Sequence, residues 1–98
     1  MVKHMIIWKF KEEITDKEAK KAAIKEALEG LVGKIDGLLS MTIRTAPLPS
    51  SNGDLMMDSA FESEKALLAY RDHPLHVEIA DTLVCPFMAS RLALDYEV

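Results

Sequence analysis

The segment at residues 2–11 constrains the fold of this chain more than any other. Its sequence, VKHMIIWKFK, combines β-branched and aromatic side chains and therefore predicts a β-strand. Its even positions are apolar except for His4, and its odd positions place Met5 and Ile7 between lysines. Because side chains alternate between the two faces of a strand, both faces of this one are apolar at the middle. Such a strand belongs inside a sheet that is covered on both sides.

The segment from Thr15 to Ile35, TDKEAKKAAIKEALEGLVGKI, predicts a helix. Thr15 and Glu18 form a capping-box signature, and Gly33 is the expected end. The lysines should lie on the solvent side, opposite an inner face with three-and-four spacing. The predicted inner residues are Ala19, Ala23, Ala27, Leu28, Leu31 and Ile35.

The remainder of the chain predicts three more strands and an interrupted helix. Alternating patterns place the strands at residues 37–46, 54–61 and 88–97. Ser63 should cap a helix. Because proline fits the first turn of a helix and not its interior, this helix should break near His73 and restart at Pro74.

This order of elements predicts an α+β fold in one domain, residues 1–98. Right-handed connections favour a four-stranded antiparallel sheet with the helices on one face, the ferredoxin-like arrangement. The helices leave the other face bare, although the first strand is apolar on both. We therefore expect a homodimer through the sheet face away from the helices, with Met5, Ile7 and Ala93 in the interface. The high apolar content of 49% is consistent with a buried partner surface.

Charge and composition exclude several classes of partner. Twelve basic residues against sixteen acidic ones give a net charge of −4, which argues against nucleic-acid binding. The cluster Lys17, Lys20, Lys21 and Lys25 is interpreted as a solvated helix face. Lys3 and His4 interrupt the first apolar run, so we do not expect a signal peptide. No apolar segment is long enough to cross a membrane. With Cys85 as the single cysteine, expected to be buried and unreactive, we expect a soluble cytoplasmic protein.

The sequence YRDHPLH, residues 70–76, is the densest group of titratable side chains. Tyr70 and His76 should face a pocket between the sheet and the helices, which His4 also lines from the first strand. Histidine titrates near neutrality and can exchange a proton with a carbon next to a carbonyl group. His73, and Trp8 on the same strand face as His4, are expected to contribute to substrate binding.

Each of these residues also has a purely structural interpretation. The histidines could simply be hydrogen-bonded, with His73 capping a helix, and Tyr70 could be a core tyrosine. A metal site built on His73 and His76 with Asp72 or Asp58 is a further alternative, but no pattern marks a third ligand. No cofactor-binding motif is present, so we predict neither a metal nor a cofactor.

The stretches VKHMIIWKFK, AFESEKALLAY leading into HPLH, and LALDY resemble the stress-responsive A/B barrel (Dabb) family. The resemblance covers essentially the full chain and implies a dimeric α/β barrel in which two sheets close on each other. Within the family, the chain looks most like enzymes of the olivetolic acid cyclase type, which close a polyketide by aldol condensation. This resemblance implies an acid/base role for His76, substrate orientation by Tyr70 and assistance from His4.

Two functions from different classes follow. The first is a cofactor-independent lyase or cyclase acting on a small carbonyl compound. The second is a non-catalytic dimer that binds a small ligand or serves a stress response with the same cavity. A third possibility is a purely structural dimer module.

Overall fold

Four strands and three helices make up the computed structural model, which describes all 98 residues. The strands are β1 (Val2–Phe10), β2 (Leu38–Arg44), β3 (Leu55–Phe61) and β4 (Met88–Glu97). The helices are α1 (Lys17–Glu29), α2 (Glu64–Asp72) and α3 (Pro74–Ile79), followed by a π-helical turn (Ala80–Val84) and a 3₁₀ turn (Cys85–Phe87). None of the helices combines the length and the apolar composition that a membrane span requires.

The sheet is antiparallel with the strand order β2-β3-β1-β4, as the ferredoxin-like prediction requires. β1 lies in the interior, between β3 and β4. The even residues of β1 point toward the helices and are all buried, including His4 at 3% exposure. Residues directly opposite on neighbouring strands share a face, so Met57 opposite Ile6 and Ile43 opposite Met57 extend this core.

The break between the second and third helices is confirmed. The hydroxyl of Ser63 accepts a hydrogen bond from the Ala66 amide at 3.1 Å and caps α2. His73 adopts an extended backbone before Pro74, because a residue preceding proline is disfavoured in the helical region. Its Nδ1 accepts from the Leu75 amide at 3.1 Å, so His73 is the N-cap of α3.

The orientation of α1 differs from the prediction. Ile24 and Leu28 are buried together with Lys21, whereas Ala19 and Ala23 are exposed. The reason is β2, an edge strand whose outer backbone groups need partners. The helix turns a polar stripe toward that edge, a contact that three-and-four spacing of apolar residues does not reveal.

Three side chains of α1 bind the β2 edge. Glu29 accepts a hydrogen bond from the Ile43 amide at 2.9 Å, and Lys25 donates to the Ile43 carbonyl at 3.1 Å. Lys21 donates to the Thr45 carbonyl at 3.1 Å. The interpretation of the lysine cluster as a solvated face was therefore wrong for Lys21, whose side chain is 11% exposed, whereas the side chain of Lys25 is still 44% exposed. α1 thus occupies both backbone groups of Ile43, so a further strand could not pair with β2 at that residue.

The ends of α1 also differ from the prediction. Asp16 is the N-cap instead of Thr15 and makes no side-chain capping bond, and Gly30 is the C-cap instead of Gly33. Gly33 lies beyond the helix in the connecting turn, with a φ of 89° that favours glycine. Both Gly30 and Gly33 could end the helix by local preference, so tertiary contacts decide which of the two does.

The sheet face away from the helices is open and carries an apolar patch. Ile7 lies opposite Leu92, and Met5 opposite Leu94. Leu92 is 70% exposed and Leu94 64% exposed. We define the open-face patch by its members: Met5, Ile7, Met56, Leu92, Leu94 and Tyr96.

Ala93 does not belong to this patch, which corrects the predicted interface. It lies opposite Ile6 and therefore points toward the helices. Residues 88–97 contain two alternating sets, and only the register with β1 decides which one faces outward.

We predict unequal costs for alanine at the two glycines with positive φ. At Gly33 (φ 89°) a Cβ meets nothing within 4 Å, so Gly33→Ala should lower the free energy of unfolding by about 1–2 kcal/mol, the cost of a left-handed backbone. At Gly37 (φ 84°) a Cβ would lie 2.5 Å from the Cβ of Ala66. Gly37→Ala should lose about 1–3 kcal/mol more through overpacking. Urea denaturation measures both, and equal losses would contradict the close approach of β2 to α2.

Candidate functional site

A cavity of about 200 Å³ lies between the helix-covered face of the sheet and the helices. β1, α2, α3 and β4 all contribute side chains to it. The lining residues that bear chemistry are His4, Tyr70, Arg71, His76, Cys85 and Arg91. The other six lining residues are all apolar: Ile6, Trp8, Leu28, Met57, Ala80 and Val84.

A larger cavity of about 320 Å³ lies on the open face, beside the loop between β2 and β3. Its lining includes no histidine, tyrosine or cysteine. We therefore place the candidate site in the smaller cavity, where the titratable groups converge.

Tyr70 lies at the centre of the site and is 1% exposed. Its ring centroid is 4.2 Å from that of His76 and 6.5 Å from that of His4. The hydroxyl is buried and has no hydrogen-bond partner in the protein. Burial raises the pKa of Tyr70 well above its usual value, against a smaller lowering by the charge of Arg91. The hydroxyl therefore stays protonated and keeps a hydrogen that it can donate.

The geometry of His76 leaves one ring nitrogen free to act as a base. Nδ1 lies 3.2 Å from the Arg71 carbonyl, and because a carbonyl only accepts, Nδ1 carries the hydrogen and donates it. Nε2 then keeps its lone pair. Burial lowers the pKa of His76 below its usual value, assisted by the charges of His4 and Arg91 and opposed by the Arg71 carbonyl and Asp81. His76 is thus held in the neutral form at pH 7.

His4 is oriented by a partner that the sequence prediction missed. Its Nδ1 is paired with the Asp95 carboxylate, which lies directly opposite it in the register of β1 and β4. A carboxylate on Nδ1 fixes the tautomer and again leaves Nε2 for other contacts. Arg91 was missed as well. The alternation of residues 88–97 already grouped Arg91 with Asp95 on one face, but not on which side of the sheet.

The other expected site residues divide into two groups. Trp8 is buried and lines the cavity. His73 caps α3 and is not among the lining residues, so its role in substrate binding stays a prediction. Cys85 lines the cavity and is exposed, so the expectation of a buried cysteine was wrong. No three of the His, Cys, Asp and Glu side chains are grouped so that they could hold a metal ion.

We predict that Arg91→Gln raises the pKa of His76. Removal of a nearby positive charge makes protonation of the imidazole easier, so the value should move upward toward that of an ordinary histidine. Arg44→Gln, which removes the same charge from the opposite sheet face, is the matched control and should leave the titration unchanged. The histidine ring signals followed by NMR over a pH series provide the measurement. An unchanged His76 titration in Arg91→Gln would contradict the arrangement.

Solved structures similar to this one share its fold over almost the whole chain. A dimeric ferredoxin-like protein of unknown function from Bacteroides fragilis matches with a TM-score of 0.90 and 26% identity, covering 99% of this chain and 95% of that one. A protein from Arabidopsis thaliana matches with a TM-score of 0.81 and 24% identity, covering 100% and 95%. A hydroxynitrile lyase from Passiflora edulis matches with a TM-score of 0.81 and 18% identity, covering 99% and 92%.

A search of curated proteins finds no match to this sequence. The sequence also matches the protein-family model of the stress responsive A/B barrel domain, over residues 2–98. The strand and helix order, the sheet topology and this match agree with the resemblance in the opening, turn and closing motifs. The chain therefore belongs to the stress responsive A/B barrel (Dabb) family.

Proposed function

We propose that this protein is a cofactor-independent lyase or cyclase that moves a proton between the cavity histidines and a small carbonyl compound. The observation that carries the proposal is the group around Tyr70. Tyr70, whose buried hydroxyl is protonated and unpartnered, lines one cavity with two imidazoles, each of which has its Nδ1 engaged by an acceptor.

The reaction uses the free nitrogen of His76 as the base. Nε2 takes a proton from the carbon next to the carbonyl, and the electrons of that C–H bond move onto the carbonyl oxygen. The Tyr70 hydroxyl donates a hydrogen bond to this developing oxyanion and keeps its proton. The enolate carbon then forms a bond to a second carbonyl, and His76 returns the proton to the resulting alkoxide. In the cleavage direction the same steps run in reverse.

His4 supports this chemistry without supplying the first proton transfer. Asp95 holds its ring in place, and the ring meets that of Tyr70 edge-on at 6.5 Å. From this position His4 orients the substrate oxygen beside the Tyr70 hydroxyl. A hydroxynitrile lyase from Passiflora edulis has the same fold, so this fold is compatible with a lyase.

The size of the cavity limits the substrate. About 200 Å³ is below the roughly 300–1,000 Å³ of typical pockets for drug-sized ligands. Ile6, Trp8 and Met57 give it an apolar wall. We infer a small molecule with one apolar end. A non-catalytic ligand-binding dimer is the alternative, because the same unpartnered hydroxyl could hold a ligand without chemistry.

We also propose that two copies associate through the open-face patch. The patch is exposed on a sheet whose opposite face is buried by helices, and α1 occupies the β2 edge. The dimeric relative from Bacteroides fragilis supports this assembly. Burying the patch against its copy would remove on the order of 1,200 Å² or more, the scale of a specific interface.

We predict that His76→Asn lowers proton exchange about 10²-fold or more. Asparagine keeps an N–H for the Arg71 carbonyl but has no nitrogen at the position of Nε2. Small diketones, hydroxyketones and aromatic cyanohydrins in D₂O, followed by NMR, report exchange and C–C cleavage. Tyr70→Phe should cost less, because only the hydroxyl is lost. The rate should rise with pH through the lowered pKa of His76, because the neutral imidazole is the base.

Arg44→Gln is the control for this experiment and should exchange at the normal rate. Melting temperatures show that each variant is folded. Exchange that is unchanged in folded His76→Asn would exclude His76 as the base. Binding of these compounds without exchange or cleavage would favour the alternative, a ligand-binding dimer.

We predict a dimer of about twice the 10.9 kDa chain mass in sedimentation at micromolar concentration. Ile7→Lys should give monomers, because like charges would face each other across the interface. Leu68→Lys is the matched control, since Leu68 is similarly exposed (48% against 44% for Ile7) but lies on α2. A monomeric wild-type chain, or dissociation caused equally by both variants, would contradict the proposed interface.

A further inference from the structure

Arg91 is the one basic residue of β4, and the proposed reaction does not use it. It lies opposite Trp8 in the register of β1 and β4, so it points toward the helix-covered face and lines the site cavity. Arg91 takes part in none of the five ion pairs of the structure. Its guanidinium group is therefore a charged, five-donor group beside the cavity without a carboxylate partner.

The charge of the cavity is opposite to that of the whole protein. The chain carries sixteen acidic residues and a net charge of −4. The lining nevertheless includes two arginines, Arg71 and Arg91, and no aspartate or glutamate. Asp95 is paired with His4, and Asp81, whose charge acts on His76, is not a lining residue. Arg91 is exposed to solvent, so its guanidinium group is available to an anion that enters the cavity.

Arg91 lines the same cavity as the reactive groups Tyr70 and His76. Its charge also lowers the pKa of both of them. A guanidinium fork matches the two oxygens of a carboxylate better than a single ammonium does. A cavity of about 200 Å³ with apolar residues in its lining leaves room only for a small molecule.

We propose that Arg91 binds a carboxylate of the substrate, so that the substrate is a small keto acid with a short apolar end. The keto group of this acid is assigned through the function proposed above, whereas recognition of the carboxylate stands on the cavity itself. Arg91 thereby acts as a specificity-determining residue: it selects carboxylates over neutral carbonyl compounds. Tyr70 lines the same cavity, and its unpartnered hydroxyl is assigned as the hydrogen-bond donor to the keto oxygen.

The test compares levulinate with levulinamide, its uncharged amide of nearly the same shape. NMR titration of each gives a dissociation constant for the wild type, Arg91→Gln, Arg91→Lys and Arg44→Gln. Levulinate should bind the wild type and Arg44→Gln at least about tenfold more tightly than levulinamide, the effect of one charge-assisted pair. Arg91→Gln should remove this preference by weakening levulinate alone. Arg91→Lys should restore part of it, because the charge returns without the fork.

A second readout reports where the carboxylate lies. Bound levulinate places a negative charge near His76 and should raise the pKa of that ring in the wild type but not in Arg91→Gln. Equal affinity for the two probes, a preference that survives in Arg91→Gln, loss of the preference in Arg44→Gln, or no measurable binding of either probe would each overturn the assignment.

The same samples distinguish the failure of this inference from that of the proposed function. Levulinate in D₂O reports proton exchange next to its keto group. Selective binding without exchange supports the carboxylate site and contradicts the acid/base function. Exchange that shows no preference for the acid over the amide supports the acid/base function and overturns the carboxylate site.

Discussion

β1 lies inside the sheet, between β3 and β4, and both the core and the open-face patch are centred on it. Its even side chains form the centre of the core under the helices, and His4 lies among them. Its odd side chains form the centre of the open-face patch. Because side chains alternate between the two faces of a strand, β1 fixes the position of His4 in the candidate site and also the centre of the proposed dimer interface.

The two edges of the sheet are treated differently. Along β2, the side chains of α1 hydrogen-bond to the outer backbone groups, at the cost of turning lysines toward the protein. Lysine tolerates this because its aliphatic stem packs against apolar surface while its ammonium group reaches a carbonyl. β4 has no such cover, and its two faces serve separate purposes. Arg91 and Asp95 point into the cavity side, whereas Leu92 and Leu94 belong to the open-face patch.

The site concentrates polar groups where the fold is otherwise apolar. A buried hydroxyl without a partner costs about 1–3 kcal/mol, and a neutral histidine held by a carbonyl gives up part of its hydration. Residues that cost stability in this way are expected where a ligand is to be bound or changed. The interruption at Pro74 contributes to this arrangement, because it starts a new helix whose first turns bring His76 against Tyr70.

The strands, the interrupted helix and three residues of the site are predictable from local sequence patterns. Alternation gave the four strands within one or two residues of their observed ends, Ser63 and Pro74 gave the interrupted helix, and the motifs gave the family. These features are local: caps, proline and the strand period act within a few residues. His4, Tyr70 and His76 were predicted to share a pocket, and they do.

The relations between distant segments are not predictable from local patterns. The face of Ala93, the inward turn of Lys21 and the pairing of His4 with Asp95 all depend on register or on the rotation of α1. A strand slipped by one residue presents the opposite face with an equally good local pattern, so no local signal selects between the two registers. The choice is made by the summed packing of the whole sheet and its helices, which also brings Arg91 to the cavity.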